Sequence, residues 1–222
     1  MKTFNELQEG VYDPNIFKAI FLAGGPGSGK SYVVRRTTGG LGMKIVNSDD
    51  VYEKMLKDVG LDTTPEDIYS DQGQEIRVRA KKTVKTMQSN YIEGRLGHII
   101  DGTGKDYDKI SKQVSMLKGL GYDCYMIFVN TSLDTAQERN AKRKRTLPEK
   151  EVAKMWKEVQ TNIGKFQRLF GNKNFVIVDN NDAGEDIFSK VWKRCMVLVR
   201  NKVSNHIAKR WISQELAKKA RK

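Results

Sequence analysis

A glycine-rich segment near the N-terminus constrains the fold of this 222-residue chain more than any other feature. Residues 24–31 read Gly-Gly-Pro-Gly-Ser-Gly-Lys-Ser, between the apolar run Lys18–Ala23 and a predicted helix from Lys30 to about Thr38. Glycines let successive backbone N–H groups curl around an anion, and the positive end of the helix adds to the attraction. A strand, this turn and a helix match the phosphate-binding pattern G-x-x-x-x-G-K-[ST]. We therefore expect a phosphate-binding loop at the end of a buried strand.

The loop has specific expected contacts. Lys30 should reach the β- and γ-phosphates of a nucleotide such as ATP, and the Ser31 hydroxyl should bind Mg²⁺. The residues predicted to contact the nucleotide are Gly25, Pro26, Gly27, Ser28, Gly29, Lys30, Ser31 and Tyr32.

Short apolar runs alternate with helical periodicities along the chain. The predicted strands are Lys18–Ala23, Lys44–Asn47, His98–Asp101, Tyr122–Asn130 and Phe175–Val178. Further predicted helices are Asp50–Val59, Gln72–Leu96, Tyr107–Leu120, Leu133–Arg145, Glu149–Phe170, Glu185–Arg200 and Val203–Lys219, and residues 60–71 are predicted to be a loop. This alternation predicts a three-layer α/β fold, with a five-stranded, mainly parallel sheet between helices. Ligands of such sheets bind beyond the carboxyl ends of the strands.

Acidic residues follow two of these strands. Asp49 is the candidate general base for an acceptor hydroxyl, with Asp50 or Ser48 capping the next helix. Asp101 is a candidate Mg²⁺ ligand, and Asp49, Asp50 and Thr103 are candidate acceptor contacts. Purely structural roles, helix capping for the first pair and a turn for the second, stay open.

A basic segment ends the helix predicted over Leu133–Arg145. Residues 139–145 hold five bases, and Arg139 and Arg143 would share a helix face at i, i+4. One of these arginines is predicted to neutralise a transferring phosphoryl group from a helical lid over about residues 133–148. A solvated charged helix is the alternative.

Positive charge is concentrated at the C-terminus. Residues 190–222 hold 11 Lys and Arg against one acid, so they contribute about +10 of the net charge of +13. We expect residues 1–182 to form the nucleotide-binding domain and residues 183–222 a basic helical extension. Its helices are expected to bind nucleic acid, to dock on the core, or to lie on a membrane surface.

Composition excludes several other classes. A hydrophobic content of 38% is too high for a disordered chain, and two cysteines are too few for a disulfide framework. No apolar run approaches the ~20 residues of a transmembrane helix. The N-terminus lacks a signal-peptide pattern, so we expect a cytoplasmic protein.

Four segments together, GGPGSGKS, VNSDD, IIDGTG and RNAKRKR, resemble the P-loop kinases of the zeta-toxin and polynucleotide-kinase-like group, including phage-encoded members. The similarity covers about Lys18–Asn180. It implies an ATP- and Mg²⁺-dependent phosphotransferase with Asp49 as base, the RNAKRKR helix as lid and Asn180 beside the adenine. Polynucleotide kinases carry a phosphate-binding arginine just after the acidic pair, where this chain has Val51, Tyr52 and Glu53.

The resemblance leaves the phosphoryl acceptor open. The group acts on nucleotide sugars, on nucleic-acid 5′-hydroxyls and on hydroxymethylated pyrimidines in DNA. We expect transfer to a hydroxyl of a nucleotide or nucleic acid. The alternatives are a zeta-toxin-like nucleotide-sugar kinase and a nucleotide-hydrolysing switch that binds nucleic acid.

Overall fold

The computed structural model describes residues 10–38, 41–143, 146–182 and 185–221. The strands are β1 (Lys18–Ala23), β2 (Lys44–Val46), β3 (His98–Asp101), β4 (Asp123–Asn130) and β5 (Phe175–Asp179). The helices are α1 (Lys30–Thr38), α2 (Ser48–Asp58), α3 (Pro65–Tyr69), α4 (Asp71–Glu93), α5 (Tyr107–Gly119), α6 (Leu133–Ala141), α7 (Glu149–Phe170), α8 (Glu185–Arg200) and α9 (His206–Lys219).

The strands form one parallel sheet in the order β2-β3-β1-β4-β5. Every residue of β1 is buried, because helices cover both faces of a central parallel strand. In the register, Leu22 of β1 pairs with Asp101 of β3. The loop after β1 therefore begins beside the acidic end of β3, and the predicted three-layer α/β fold is confirmed.

Two apolar cores flank the sheet. On one face, Phe21 and Phe128 pack with Val114 of α5 and Phe166 of α7. The core on the other face is formed by Ile20, Leu22, Val33 of α1, and Phe188, Val191, Cys195 and Leu198 of α8. Part of the segment predicted to be an extension thus completes a core of the sheet, because the inward row of α8 is apolar. The proposed boundary at residue 183 does not coincide with a break in packing.

Helix α9 packs against the core that contains Phe21 and Phe128. Its Trp211 ring meets Phe17 edge-to-face at a centroid distance of 5.5 Å, and Ala208 is fully buried. Two other apolar residues of α9, Ile207 and Leu216, are 39% and 42% exposed. The docked alternative is confirmed for α9. No helix in the described part of the chain has both the length and the apolar composition to span a membrane.

The segment Gly60–Asp71, predicted to be a loop, contains the short helix α3. The Thr64 hydroxyl accepts from the Asp67 N–H at 3.3 Å, and Pro65 occupies the first turn. Proline fits there because that turn needs no N–H donor. Ile68 is buried against Tyr52 and Leu56 of α2, so tertiary packing stabilises a helix too short for periodicity to reveal.

Acid should destabilise this fold through one buried histidine. His98 of β3 is buried, and its Nδ1 donates to the Leu96 carbonyl at 3.0 Å. Burial lowers the pKa of His98, and the Leu96 hydrogen bond opposes this shift. Below about pH 6.5 His98 binds a proton in the unfolded chain but not in the folded chain. The free energy of unfolding therefore falls as pH falls, by at most about 1.4 kcal/mol per pH unit.

We predict that His98→Asn flattens the dependence of the unfolding free energy on pH between 6.5 and 5.5, measured by urea denaturation. His206→Asn removes the only other histidine, which is exposed, and is the matched control. Equal slopes in wild type and His98→Asn would contradict this account.

Candidate functional site

The glycine-rich loop fits tightly between two later segments of the chain. Gly27 and Gly29 adopt φ angles of +74° and +75°, which favour glycine. A Cβ on Gly27 would lie 2.2 Å from the Ala136 carbonyl oxygen, and one on Gly29 would lie 2.4 Å from Asn180 Nδ2. Helix α6 and the end of β5 therefore approach the loop backbone so closely that these two positions need glycine.

Asn180 also holds the loop by a hydrogen bond. Its Nδ2 donates to the Ser28 carbonyl at 2.7 Å, and its backbone N–H donates to the Asn130 carbonyl. The residue is 5% exposed. Asn180, predicted to lie beside an adenine, thus supports the phosphate-loop backbone and joins it to the ends of β4 and β5.

The loop lysine reaches the acidic end of β3. Lys30 Nζ donates to Asp101 Oδ1, and both side chains are largely buried. Asn47, after β2, donates from Nδ2 to the other oxygen of Asp101 at 3.0 Å. The segments that follow three neighbouring strands, β2, β3 and β1, are thereby connected through Asn47, Asp101 and Lys30.

Asn47 is also the N-cap of α2. Its Oδ1 accepts from the Asp49 N–H at 2.8 Å. The prediction that Ser48 or Asp50 caps this helix is wrong, because the helix begins two residues earlier than expected. The missed signal is asparagine itself, a preferred cap at the end of a strand. Asp49 and Asp50 consequently lie in the first turn of α2 with their carboxylates free of capping.

The two carboxylates differ electrostatically. Loss of hydration, followed by the nearby Asp101 carboxylate, raises the pKa of Asp50, while Arg35 and the Asn47 hydrogen bond act in the opposite direction. Both residues are exposed. The electrostatic interaction between Asp50 and Asp101 links the first turn of α2 to the acidic end of β3.

The two candidate arginines are not on one helical face. Helix α6 ends at Ala141, so Arg143 lies beyond it and is exposed, which corrects the predicted helix to residue 145. Lys144 and Arg145 lie outside the described residues. Arg139 Nη2 donates to the Asn181 carbonyl at 2.9 Å, while its buried Nη1 has no hydrogen-bond partner among the described residues. That Nη1 lies 3.6 Å from the position of a Cβ on Gly29.

Helix α7 supplies contacts to the loops at the strand ends that were not predicted from the sequence. Its Trp156 Nε1 donates to the Thr131 carbonyl at 2.8 Å, and its backbone passes 3.8 Å from the Cβ position of Gly25. Asn162 donates to the carbonyls of Gly104 and Lys105. The signal was available in the sequence, because Asn162 lies at helical spacing between the apolar residues Val159 and Phe166.

Thr103 and Tyr32, which were predicted to contact ligands, make contacts within the protein. The Thr103 carbonyl accepts from the Gly24 N–H at 3.1 Å, so its backbone positions the phosphate loop. The Tyr32 ring packs edge-to-face on Phe188 of α8 at 5.3 Å. The predicted acceptor contact of Thr103 and nucleotide contact of Tyr32 both stay predictions.

The donor set suits Mg²⁺ only together with a nucleotide. The Ser31 hydroxyl is exposed beside the loop, and Asp49, Asp50 and Asp101 crowd negative charge at the neighbouring strand ends. Within the described ranges, no three His, Cys, Asp or Glu side chains form a metal cage. Mg²⁺ is commonly held by one or two protein ligands and substrate phosphates, and these residues fit that arrangement.

Known proteins resemble this chain in sequence and fold. A cytidylate kinase of Methanothrix thermoacetophila is 33% identical over 99 residues, which are 43% of this chain and 58% of the relative, so the match spans little more than half of that protein. A structure of the PezAT toxin–antitoxin system of Streptococcus pneumoniae matches with a TM-score of 0.53 at 16% identity, over 82% of this chain and 86% of that one.

A chain of the Pnkp1/Rnl/Hen1 RNA repair complex matches with a TM-score of 0.52 at 22% identity, over 68% of this chain and 47% of that one. At such identities the two structures show the fold alone.

A family model described as an AAA domain, AAA_33, matches residues 20–161, which include the phosphate loop, both acidic strand ends and Trp156. Because this match spans well over half of the chain, the protein belongs to the AAA_33 family.

Proposed function

We propose that this protein is an ATP- and Mg²⁺-dependent kinase that transfers the γ-phosphoryl group to a hydroxyl of a nucleotide or nucleic acid. The observation that carries the proposal is the convergence of Lys30, Asp101 and Asn47 at one edge of the sheet, beside the carboxylates of Asp49 and Asp50. A phosphate loop by itself supports hydrolysis and transfer equally. Carboxylates placed beside it supply what an acceptor hydroxyl needs.

The phosphate loop and Lys30 bind and orient the triphosphate. When ATP binds, its β- and γ-phosphates compete with Asp101 for Lys30. We therefore expect Lys30 to exchange its contact with Asp101 for contacts with the phosphates. Ser31 and the released Asp101 are the proposed ligands of Mg²⁺, which supplies charge neutralisation at the transferring group. Asn180 keeps the loop backbone in the conformation that the phosphates require.

A carboxylate of the first turn of α2 accepts the proton of the acceptor hydroxyl. The family resemblance assigns this role to Asp49. Asp50 is the second candidate, because it interacts with Asp101. The raised pKa of Asp50 strengthens that residue as a proton acceptor once it is ionised. The other carboxylate of the pair is then an acceptor contact.

Arg139 is the proposed charge-neutralising arginine of the lid. Its Nη1 lies beside Gly29, and its Nη2 is held by Asn181, so the guanidinium is already oriented towards the loop. Arg143 lies beyond the helix and is exposed, so we assign it no contact in this conformation.

The relatives guide the choice of acceptor without determining it. One is a cytidylate kinase and another belongs to an RNA repair complex, which supports nucleotides and nucleic acids as the first acceptors to test. A sugar nucleotide is the next, by the resemblance to zeta toxins. A cytoplasmic location is part of this proposal. The cytidylate kinase and the toxin–antitoxin system both come from cellular organisms, and a phage origin is not part of the proposal.

We predict that Lys30→Ala lowers phosphoryl transfer by at least about 100-fold, because the variant loses the cation that binds the β- and γ-phosphates. Transfer is measured with γ-³²P-ATP and three acceptor sets: nucleoside monophosphates, 5′-hydroxyl DNA and RNA oligonucleotides, and sugar nucleotides. Label on any acceptor supports the kinase; release of free phosphate alone from every set contradicts it. An unchanged melting temperature shows that the variant is folded.

We predict that Asp49→Asn lowers kcat by about 10²- to 10⁴-fold with little change in the KM for ATP, because a general base contributes about this much. Asp50→Asn is the matched variant, one residue away in the same turn. If Asp50→Asn alone shows the large loss of kcat, the base is Asp50. If neither variant loses kcat, the proposed proton acceptor is wrong.

A further inference from the structure

Helix α4 carries a dense run of positive charge that the proposed active site does not use. Residues 77–85 read RVRAKKTVK, with five bases and no acid. Lys81 and Lys85 are both exposed. The ion pairs found in the described part of the chain lie on other segments, so nothing in that part neutralises these cations by direct pairing.

Three of these cations form one row along the helix. Ile76, Ala80 and Val84, at intervals of four, are the buried row of α4. Arg77, Lys81 and Lys85 are each one residue later, so they form the adjacent row, with a rise of about 6 Å between successive members. We call Arg77, Lys81 and Lys85 the basic ridge.

The basic ridge begins close to the proposed acceptor site. The Arg77 guanidinium carbon lies 5.0 Å from the centre of the Tyr52 ring. Tyr52 is three residues after Asp49 on α2, and residues at i and i+3 are neighbours on a helix. One helical turn and one ring contact thus separate the proposed proton acceptor from the first cation of the ridge.

We propose that the basic ridge binds the phosphate backbone of a single-stranded nucleic acid whose terminal hydroxyl lies at Asp49 and Asp50. This inference rests on the proposed kinase function and specifies its acceptor. A mononucleotide offers one phosphate group to a site, whereas a row of cations at regular spacing matches a repeating polyanion. Arg77 connects the ridge to α2, because its guanidinium packs on Tyr52, which is one helical turn after Asp49.

The same helix provides a matched control. Arg79 is an exposed base of the same run, and it lies about 160° around the helix from Lys81, because it is two residues earlier. Removing Arg79 or Lys81 changes the net charge equally. Only removal of Lys81 should disturb a strand that follows the ridge.

The test measures binding of 3′-labelled, 5′-hydroxyl 12-nucleotide DNA and RNA by fluorescence anisotropy, without ATP, at several salt concentrations. For Lys81→Ala we expect weaker binding and a slope of log Kd against log salt that is lower by about 0.7, the value for one lost phosphate contact. Arg79→Ala should retain the wild-type slope. The DNA and RNA arms show which strand the ridge prefers.

Equal losses in Lys81→Ala and Arg79→Ala would overturn the proposal, since they would indicate diffuse attraction. It would also be overturned by a wild-type protein that does not bind the oligonucleotides, or by binding lost only in Lys209→Ala/Arg210→Ala on α9. Because binding is measured without ATP, these outcomes leave the kinase proposal standing. Failure of that proposal shows separately, as absence of label on every acceptor.

Discussion

The contact between Lys30 and Asp101 is the interaction on which the candidate site depends. It joins the phosphate loop after β1 to the end of β3, and Asn47 extends it to the start of α2. An ion pair with little access to water is costly unless its other hydrogen-bonding capacity is satisfied, and Asn47 satisfies the second carboxylate oxygen. The same asparagine caps α2 and so orients the turn that carries Asp49 and Asp50.

This arrangement explains why the phosphate loop needs support from distant parts of the chain. Ala136 and Asn180 press against Gly27 and Gly29, and Asn180 donates to the Ser28 carbonyl. Helix α7 covers the loop through Trp156. The loop is therefore held in its shape by α6, α7 and β5 as well as by its own glycines, and Arg139 reaches it from the same side.

The strands and most helices were predictable because apolar periodicity and glycine turns are local signals. Lys18–Ala23, Lys30–Thr38, His98–Asp101, Glu149–Phe170 and Glu185–Arg200 have the expected bounds. The early end of α6 and the helix Pro65–Tyr69 were missed, since tertiary packing and capping decide them. The placement of α8 in a core was not predicted, because the net charge of the C-terminal segment indicated an extension, although α8 carries an apolar row.

Charge distribution separates two surfaces that composition alone combines. The bases of the C-terminal segment surround a helix that docks on the core through Trp211 and Ala208. Arg77, the first base of the run on α4, contacts Tyr52 of α2, and the near-neutral composition of residues 1–189 conceals this run. Position relative to the strand ends, more than total charge, therefore indicates which basic surface an acceptor would meet.

The most direct test of this account is a crystal structure of the protein with Mg²⁺ and a non-hydrolysable ATP analogue. In that complex we expect Lys30 Nζ to have left Asp101 and to lie within hydrogen-bond distance of the β- or γ-phosphate oxygens. We expect Asp101 to face the Mg²⁺ ion. A bound nucleotide whose phosphates lie away from Lys30, with the Lys30–Asp101 pair intact, would contradict it.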